Sequence, residues 1–346
     1  FGWQANFTDN WRSSLRASRL ERDENYNSPG IAPYLDVPPN AADSNFKRDD
    51  LRWVNTLFAE GPVQFNLGAD YREERGNSVG YLEYFSQQLP TDFKLDGETA
   101  ALFAGASATP IEGLQLQGAL RYDDPDSYDS ETSLSLGASL DFGAGFRLAT
   151  NYGEGFKLPS FFALGHPLVG NPDLLPEKSS SLDIGLGWDS GAGLGLELTW
   201  FAIDFEDLID FDNETFRNVN RDEVESRGVE LAASWQPSEV LQISAQVTYV
   251  DLDVKNEPTV LTGRPDWTAG FAGEWRISPR WSSVLDYRWT GEQYAATRYT
   301  GEELTVVLDD FHRLDWVLRW QALDAVQVQL SVDNLTDEDY QTQVGF

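Results

Sequence analysis

Leu241-Gln242-Ile243-Ser244-Ala245-Gln246-Val247-Thr248-Tyr249 is the stretch that decides the fold. Its odd positions are apolar or aromatic and its even positions polar, and a period of two is the spacing of a β-strand with unlike surroundings on its two faces. Working outward, Val326, Val328, Leu330 and Val332 oppose Gln327, Gln329, Ser331 and Asp333 in the same way, and Leu114, Leu116 and Leu120 oppose Gln115, Gln117 and Arg121. Leu314, Trp316, Leu318 and Trp320 oppose Arg313, Asp315, Arg319 and Gln321, while Val229, Leu231, Ala233 and Trp235 oppose Glu230 and Ser234. Two segments are less clean: 99–108 is small or apolar on both faces, and Phe201, Ile203 and Phe205 intrude on a polar face. The pattern predicts sixteen long strands near 1–8, 11–22, 47–59, 62–74, 96–108, 111–122, 131–141, 144–155, 177–189, 193–211, 214–235, 239–254, 265–276, 280–291, 310–321 and 325–334. Most exceed the five or six residues usual in soluble sheets.

Composition narrows the class. Fifty-seven acids against 25 bases give a net charge of −32, which argues against a nucleic-acid partner because phosphate binding needs a basic patch. Without cysteine there is neither a disulfide framework nor a thiolate metal site. The longest stretch free of formal charge, Leu158 to Pro172, is broken by Pro159, His166 and Pro167, so no segment supplies the about 20 apolar residues of a membrane helix. Twelve Trp and 13% aromatics are foreign to an acidic disordered chain. The hydrophobicity is present but hidden by alternation. The absence of methionine and the start at Phe1-Gly2-Trp3 lead to the expectation of an interior piece of a longer or processed chain.

The connections alternate between short and long. Short ones are 8–10, 60–62, 109–110, 143–145, 190–192, 236–238, 278–279 and 322–324; long ones lie near 23–46, 75–95, 123–130, 156–176, 255–264 and 292–309, with shorter members near 206–214 and 335–339. Short turns on one side and long loops on the other are the signature of an antiparallel transmembrane β-barrel of an outer membrane, the short side being periplasmic. Trp11, Phe58, Phe142, Phe146, Trp188, Trp235, Trp275, Trp281 and Trp320 all stand near a short turn, as one aromatic girdle would. A soluble propeller packs four short strands into each repeat, whereas each repeat here holds one hairpin of two long ones. A sandwich has no need of an aromatic at nearly every strand base.

Several segments resemble TonB-dependent receptors. Gly155-Phe156-Lys157-x-Pro159 followed by Asn171-Pro172-Asp173-Leu174-x-Pro176-Glu177-Lys178-Ser179 is similar to a loop and strand start of that family. Asn218-Val219-Asn220 with Ser226-Arg227-Gly228-Val229-Glu230-Leu231 resembles its arginine-glycine-valine-glutamate strand, and Arg264-Pro265 opens a strand as expected there. Val332-Asp333-Asn334-Leu335-Thr336-Asp337-Glu338-Asp339-Tyr340 resembles its near-terminal asparagine-leucine motif. Each motif is weak alone; their order over 150–346 makes the match specific, while 1–149 agrees mainly in pattern.

The resemblance implies a 22-stranded barrel filled by an N-terminal plug and energised by the TonB complex, importing a scarce ligand such as an iron-siderophore chelate or a cobalamin (vitamin B12)-like molecule. On that pattern residues 1–346 are a partial barrel domain in outer-membrane lipid of a Gram-negative bacterium, with plug, about five strands before Phe1 and one after Phe346 outside the sequence. The alternation of Tyr340, Thr342, Val344 and Phe346 imitates a terminal strand signal, but seven residues fall short of the about 9–11 that cross a bilayer. The alternative function is a passive porin or a non-transporting surface barrel.

No enzyme is expected. The two histidines, His166 and His312, have no Gly-x-Ser-x-Gly elbow beside them. Phe161, Phe162 and His166 in one long loop, and Tyr294, Arg298 and Tyr299 in another, are candidate ligand contacts, since binding residues concentrate on loops. The competing reading of His166 is ordinary loop packing against Phe161, Phe162 and Leu168, and Arg227, Gly228 and Glu230 are read as serving barrel register. Asp123, Asp124, Asp126 and Asp129 form an acid cluster, and Asp204, Glu206, Asp207, Asp210, Asp212 and Glu214 form another. Calcium takes such oxygen ligands, but the spacing matches no fixed calcium loop, so solvated acidic loops are the preferred reading and no cofactor is expected.

Overall fold

A computed structural model describes residues 1–30, 38–58, 62–212, 215–255, 260–297 and 304–344. The first strands are β1 (Gly2–Thr8), β2 (Trp11–Ser28), β3 (Asn40–Phe58), β4 (Val63–Tyr84), β5 (Gln87–Pro90), β6 (Phe93–Ile111) and β7 (Leu114–Pro125). Then come β8 (Glu131–Gly143), β9 (Phe146–Lys157), helix α1 (Phe161–Gly165), β10 (Glu177–Asp189), β11 (Leu194–Asp212), β12 (Arg217–Ser238) and β13 (Leu241–Val254). The last are β14 (Trp267–Ser278), β15 (Trp281–Thr290), β16 (Gln293–Thr297), β17 (Leu304–Leu308), β18 (Phe311–Leu323) and β19 (Val326–Val332). All sixteen expected long strands are present. Three short ones, β5, β16 and β17, lie inside the expected loops 75–95 and 292–309.

Seventeen strands form one antiparallel sheet in which each long strand pairs with the next along the chain, β5 folding back on β4 and the β16–β17 hairpin standing apart. Among the described residues β1 pairs only with β2 and β19 only with β18, so the sheet is open along those two edges. Register shifts fall beside the short turns, between Asn6/Thr8, Ala108/Ile111, Asp141/Gly143, Trp235/Ser238, Arg276/Ser278 and Gln321/Leu323. Bulges of this kind add twist at a sheet rim and end the pairing there.

Cross-strand register turns the alternation of single strands into continuous bands. Leu114, Leu140, Leu148, Leu186, Leu198, Leu231 and Val247 are successive partners across seven strands. One residue along each strand, Gln115, Ser139, Ala149, Gly185, Thr199, Glu230, Thr248, Thr268 and Thr290 form a band of polar and small side chains on the other face. Leu198 remains 47% exposed and Leu231 49%, while the fully buried apolar set among the described residues is small. A soluble sandwich would hide this leucine band against a second sheet; here it faces outward and fits hydrocarbon.

Aromatics bound that band on both sides. Near the short turns Phe146 stands 6.1 Å from Trp188, Trp281 stacks on Trp320 at 5.3 Å, and Trp235 and Trp275 share the outward face. At the far ends of the same strands Trp200, Tyr249 and Trp267 form a second group, with Tyr249 and Trp267 at 4.7 Å. Trp275 and Trp267 are eight residues apart on β14, about 27 Å along a strand and about 20 Å after tilting, close to the about 25 Å apolar band of such barrels. One expected member of the girdle is misplaced. Phe58 shares the phase of Arg52 and Thr56 and lies under the Arg12 guanidinium at 5.6 Å on the inner face, whereas its neighbour Leu57 pairs with Trp11 on the outer one.

The strands β2, β3, β4 and β6 run further than the alternation indicates. Above Tyr71 the outward face of β4 changes to Glu73 and Arg75, whose register partners are Asp49, Lys47, Glu98 and Asp96. Arg19 pairs with Asp49 at 2.6 Å and Lys47 with Glu21 at 3.3 Å at the same height. Charges on both faces mark chain that has left the hydrocarbon, so the expected loops 23–46 and 75–95 are largely strand standing in water.

Candidate functional site

The polar face is not uniform. Between β3 and β4 three successive inward pairs reverse polarity: Arg48 meets Glu74 at 2.6 Å, Arg72 meets Asp50 at 2.9 Å and Arg52 meets Asp70 at 2.8 Å. Arg121 on β7 bridges Asp70 at 2.7 Å and Asp123 at 2.8 Å. Phe103 lies between Arg52 and Arg121, 5.9 and 5.8 Å from their guanidinium carbons. Its ring covers Gly68, its direct cross-strand partner, where a methyl group would collide with it. Phe201 and Gly228 repeat this arrangement on β11 and β12, which explains both the aromatic on a polar face and the glycine of the Arg227-Gly228-Val229-Glu230 motif. Opposite the arginine wall, a concavity of about 920 Å³ runs along β9–β15, with Glu197, Gln246 and Arg288 among its inward residues.

The loop between β9 and β10 folds inward. Ser160 caps α1 by accepting the Ala163 N–H on its side chain, satisfying one of the donors a helix start leaves free. Phe161 packs 6.3 Å from Phe46 and over Gly76, while Phe162 meets Phe93 edge-on at 6.5 Å and His166 at 4.8 Å. Phe46, Gly76 and Phe93 are inward positions of β3, β4 and β6, so α1 docks on the inner wall of the extended strands. A cavity of about 570 Å³ remains between them, within the usual range of ligand sites.

Family-motif residues hold this loop in place. The Asn171 side-chain amide donates to the Asn218 carbonyl at 3.1 Å, and the Asn218 amide donates to the Val169 carbonyl at 2.8 Å. Asn220 accepts the Leu175 N–H at 2.9 Å and donates to the carbonyls of Leu175 and Asp207. Glu177 accepts the Ile209 N–H at 2.9 Å and pairs with Lys157 at 2.7 Å, and Leu174 is 1% exposed between the two segments. Asparagine suits this work because one side chain offers both a donor and an acceptor to backbone groups that no strand ladder satisfies. Near the end of the chain Asn334, at φ 51°, accepts the Glu338 N–H and donates to its carbonyl while its own N–H reaches Asp315.

His166 has a structural task as well as a place on the cavity wall. Its Nδ1 accepts the N–H groups of Leu168 at 3.3 Å and Val169 at 3.2 Å, so the ring is neutral with its proton on Nε2. Burial pushes its pKa below the ordinary histidine value. Phe161, Phe162 and His166 are thus brought together. Tyr294 lies elsewhere, on β16, its carbonyl accepting the Gly263 N–H at 2.8 Å; Arg298 and Tyr299 fall outside the described residues. Of the four acids weighed for calcium, Asp123 points inward to Arg121 with its side chain 6% exposed, and Asp124, one residue on in the strand, faces the other way. Asp126 accepts from Ser127 at 3.0 Å and Asp129 is exposed in the following turn, so the four do not converge. Among the described residues no group of three or more acids or histidines converges as metal ligands. Phe46 and Phe93 fall inside the expected loops 23–46 and 75–95 and Arg22 just before the first, but the structure puts them on β3, β6 and β2, where register rather than loop position brings them to the cavity.

Comparison with known proteins gives the same architecture. A family model described as TonB dependent receptor-like, β-barrel, matches residues 1–335. The vitamin B12 transporter of Vibrio cholerae serotype O1 is 25% identical over 345 residues, covering 98% of this chain and 52% of that protein. The chain therefore spans about half the length of the curated relatives it matches. Among solved structures, the ferripyoverdine receptor of the outer membrane of Pseudomonas aeruginosa superposes with a TM-score of 0.79 at 15% identity, over 99% of this chain and 52% of that one. A copper transporter superposes with a TM-score of 0.78 at 17% identity, over 99% and 60%.

Proposed function

The chain belongs to the TonB-dependent receptor β-barrel family, and from that premise we propose that the protein containing it takes up a scarce ligand actively across the outer membrane of a Gram-negative bacterium. The observation that carries this reading is the pairing of an outward leucine band, bounded by aromatics at both ends, with a polar inner face whose outer mouth holds a preformed cavity. The ligand, of the iron-chelate or cobalamin-like class, is captured at the mouth beside α1. It then passes along the inner face when the TonB complex acts on a plug segment encoded outside the present sequence. The two open edges, β1 and β19, are closed by further strands of the longer chain, since a lipid-exposed edge leaves backbone groups unsatisfied. No reaction chemistry is assigned: the barrel binds and conducts.

The test compares uptake in cells with and without the energy-transducing partner. Active transport predicts accumulation that stops when the partner is deleted; a passive pore would continue to pass the ligand, and that result would replace this reading. Orientation is checked separately in the complete protein. Ser127→Cys should react with an impermeant thiol reagent on intact cells and Ser238→Cys should not; reaction at 238 alone inverts the topology.

A further inference from the structure

We infer that the cavity beneath α1 receives an uncharged flat ring carried by a larger ligand and disfavours anionic groups, an inference that rests on the uptake reading and narrows its ligand class. The lining explains the first half. Phe161 and Phe162 on α1 face Phe46 and Phe93 on the wall, and Tyr26, inward on β2, lines the same cavity. Aromatic side chains receive another ring by offset or edge-on contact, with a preference beyond the area they bury. The loop is already clamped to β12 by Asn171, Asn218 and Asn220, so little ordering is left for the ligand to drive.

Charge explains the second half. The only formally charged residues on the described lining are Arg22 and Glu24, and these pair with each other at 2.8 Å. His166 is held neutral by the two backbone N–H groups on Nδ1, leaving Nε2 as a donor without charge. An anion entering the cavity therefore finds no unmatched cation, and it approaches through the field of a chain with 32 excess negative charges. The volume of about 570 Å³ suits one ring system with its linker rather than an entire macrocyclic chelate.

The experiment uses the complete protein in lipid nanodiscs and two fluorescent probes that share one tricyclic ring: riboflavin, which is neutral, and flavin mononucleotide, which adds a phosphate. Saturable quenching of riboflavin is expected, with the phosphate ester bound at least about tenfold more weakly at low salt. The double substitution Phe93→Ala/Phe161→Ala should weaken riboflavin by about tenfold, a loss of roughly two aromatic contacts. Because that variant could misassemble, Glu24→Gln provides a second arm. It leaves Arg22 unmatched and should shift the ratio of phosphate-ester to riboflavin affinity toward the ester by about threefold or more. Equal or tighter binding of the phosphate ester by the natural protein, no saturable riboflavin quenching, or no response of that ratio to Glu24→Gln would each overturn the inference. Energised uptake with any of those results removes the ligand class alone; a riboflavin preference without energised uptake removes the transport reading alone.

Discussion

The wall formed by β2–β7 and the wall formed by β8–β15 share one sheet and one alternation, yet they are built differently. The first is tall and presents interlocked arginines and acids inward, with Phe103 held between Arg52 and Arg121. The second is shorter in every strand but β11 and β12, is lined inward by residues such as Ser139, Gly185, Thr199, Thr248 and Thr268, and carries the leucine band at its clearest on its outer side. On the second wall the 920 Å³ concavity lies where Gly187, Ala232 and Gly270 alternate with Glu197, Gln246 and Arg288, while paired bulky side chains line the first. The difference teaches that the outer face answers to lipid along its whole circumference, whereas the inner face is free to divide its labour. α1, which leaves the second wall and docks on the first, joins them at the mouth.

The largest effect that would break this comparison lies on the outer face. Leu198→Arg, in the middle of the leucine band, should hinder barrel assembly by about 2–4 kcal/mol. Val79→Arg, outward on β4 but above the charged boundary, should stay within about 0.5 kcal/mol. Folding into vesicles followed by gel mobility measures both, and equal effects would show that the boundary at Tyr71 is misplaced. Ile243→Arg against Gln242→Arg repeats the contrast across the two faces of one strand.

Next in size are the glycines under the inward phenylalanines. Gly228→Ala and Gly68→Ala each press a methyl group on a ring and on a backbone carbonyl, Phe201 with Tyr249 and Phe103 with Trp53, and should cost about 1–3 kcal/mol. Gly68 should be the more sensitive, because Phe103 is braced on two sides by guanidinium groups. Partial restoration of Gly228→Ala by Phe201→Leu in denaturant titrations would give the ring its share of the cost; no restoration would assign all of it to the Tyr249 carbonyl. The clamp comes third. Asn218→Ala removes the side-chain donor to Val169 and should destabilise the loop by about 1 kcal/mol, read as faster hydrogen exchange over 160–176 with the belt unaffected.

The smallest effect is a response to pH confined to the loop. Burial depresses the His166 pKa below that of the unfolded chain, about 6.5, so the loop's stability is complete above that value. It is lost as pH falls through the lower folded value, when a proton on Nδ1 displaces the N–H groups of Leu168 and Val169. Protection of those two amides, relative to the intrinsic exchange rate at each pH, should fall as pH drops below the ordinary histidine range, and His166→Gln should flatten that profile. Protection factors that do not change between about pH 7.5 and 5 would remove His166 from this task.

Much of this was legible because the bilayer imposes a two-residue rhythm that no other solvent arrangement rewards so evenly. Leu241 to Tyr249 read as a strand, and do so in the structure. The rhythm fails where lipid ends: apart from Tyr26 and Phe46, Glu21 to Tyr26 and Asp43 to Arg48 are polar on both faces because both meet water, and their strand character comes from hydrogen bonds to partners up to 36 residues away. Phe58 sat beside a short turn and was assigned to the wrong face because proximity to a turn says nothing of phase. At the site, the aromatic loop around His166 stood out by composition. Its wall residues Phe46 and Phe93 did not, since nothing in a single sequence joins positions 115 residues apart, as 46 and 161 are. The motif asparagines were visible as a resemblance, but their work on opposite backbones needed coordinates.

The asparagine clamp separates where the loop is held from what the loop carries. Asn171, Asn218 and Asn220 spend their hydrogen bonds on main-chain atoms, so the anchorage is indifferent to which side chains the intervening segment carries. The loop resembles a tool holder: the chuck is fixed to β12, and the bit, residues 161–169, is exchangeable. Substitutions in the bit can redraw the cavity wall without renegotiating its position, while the barrel below continues to fold.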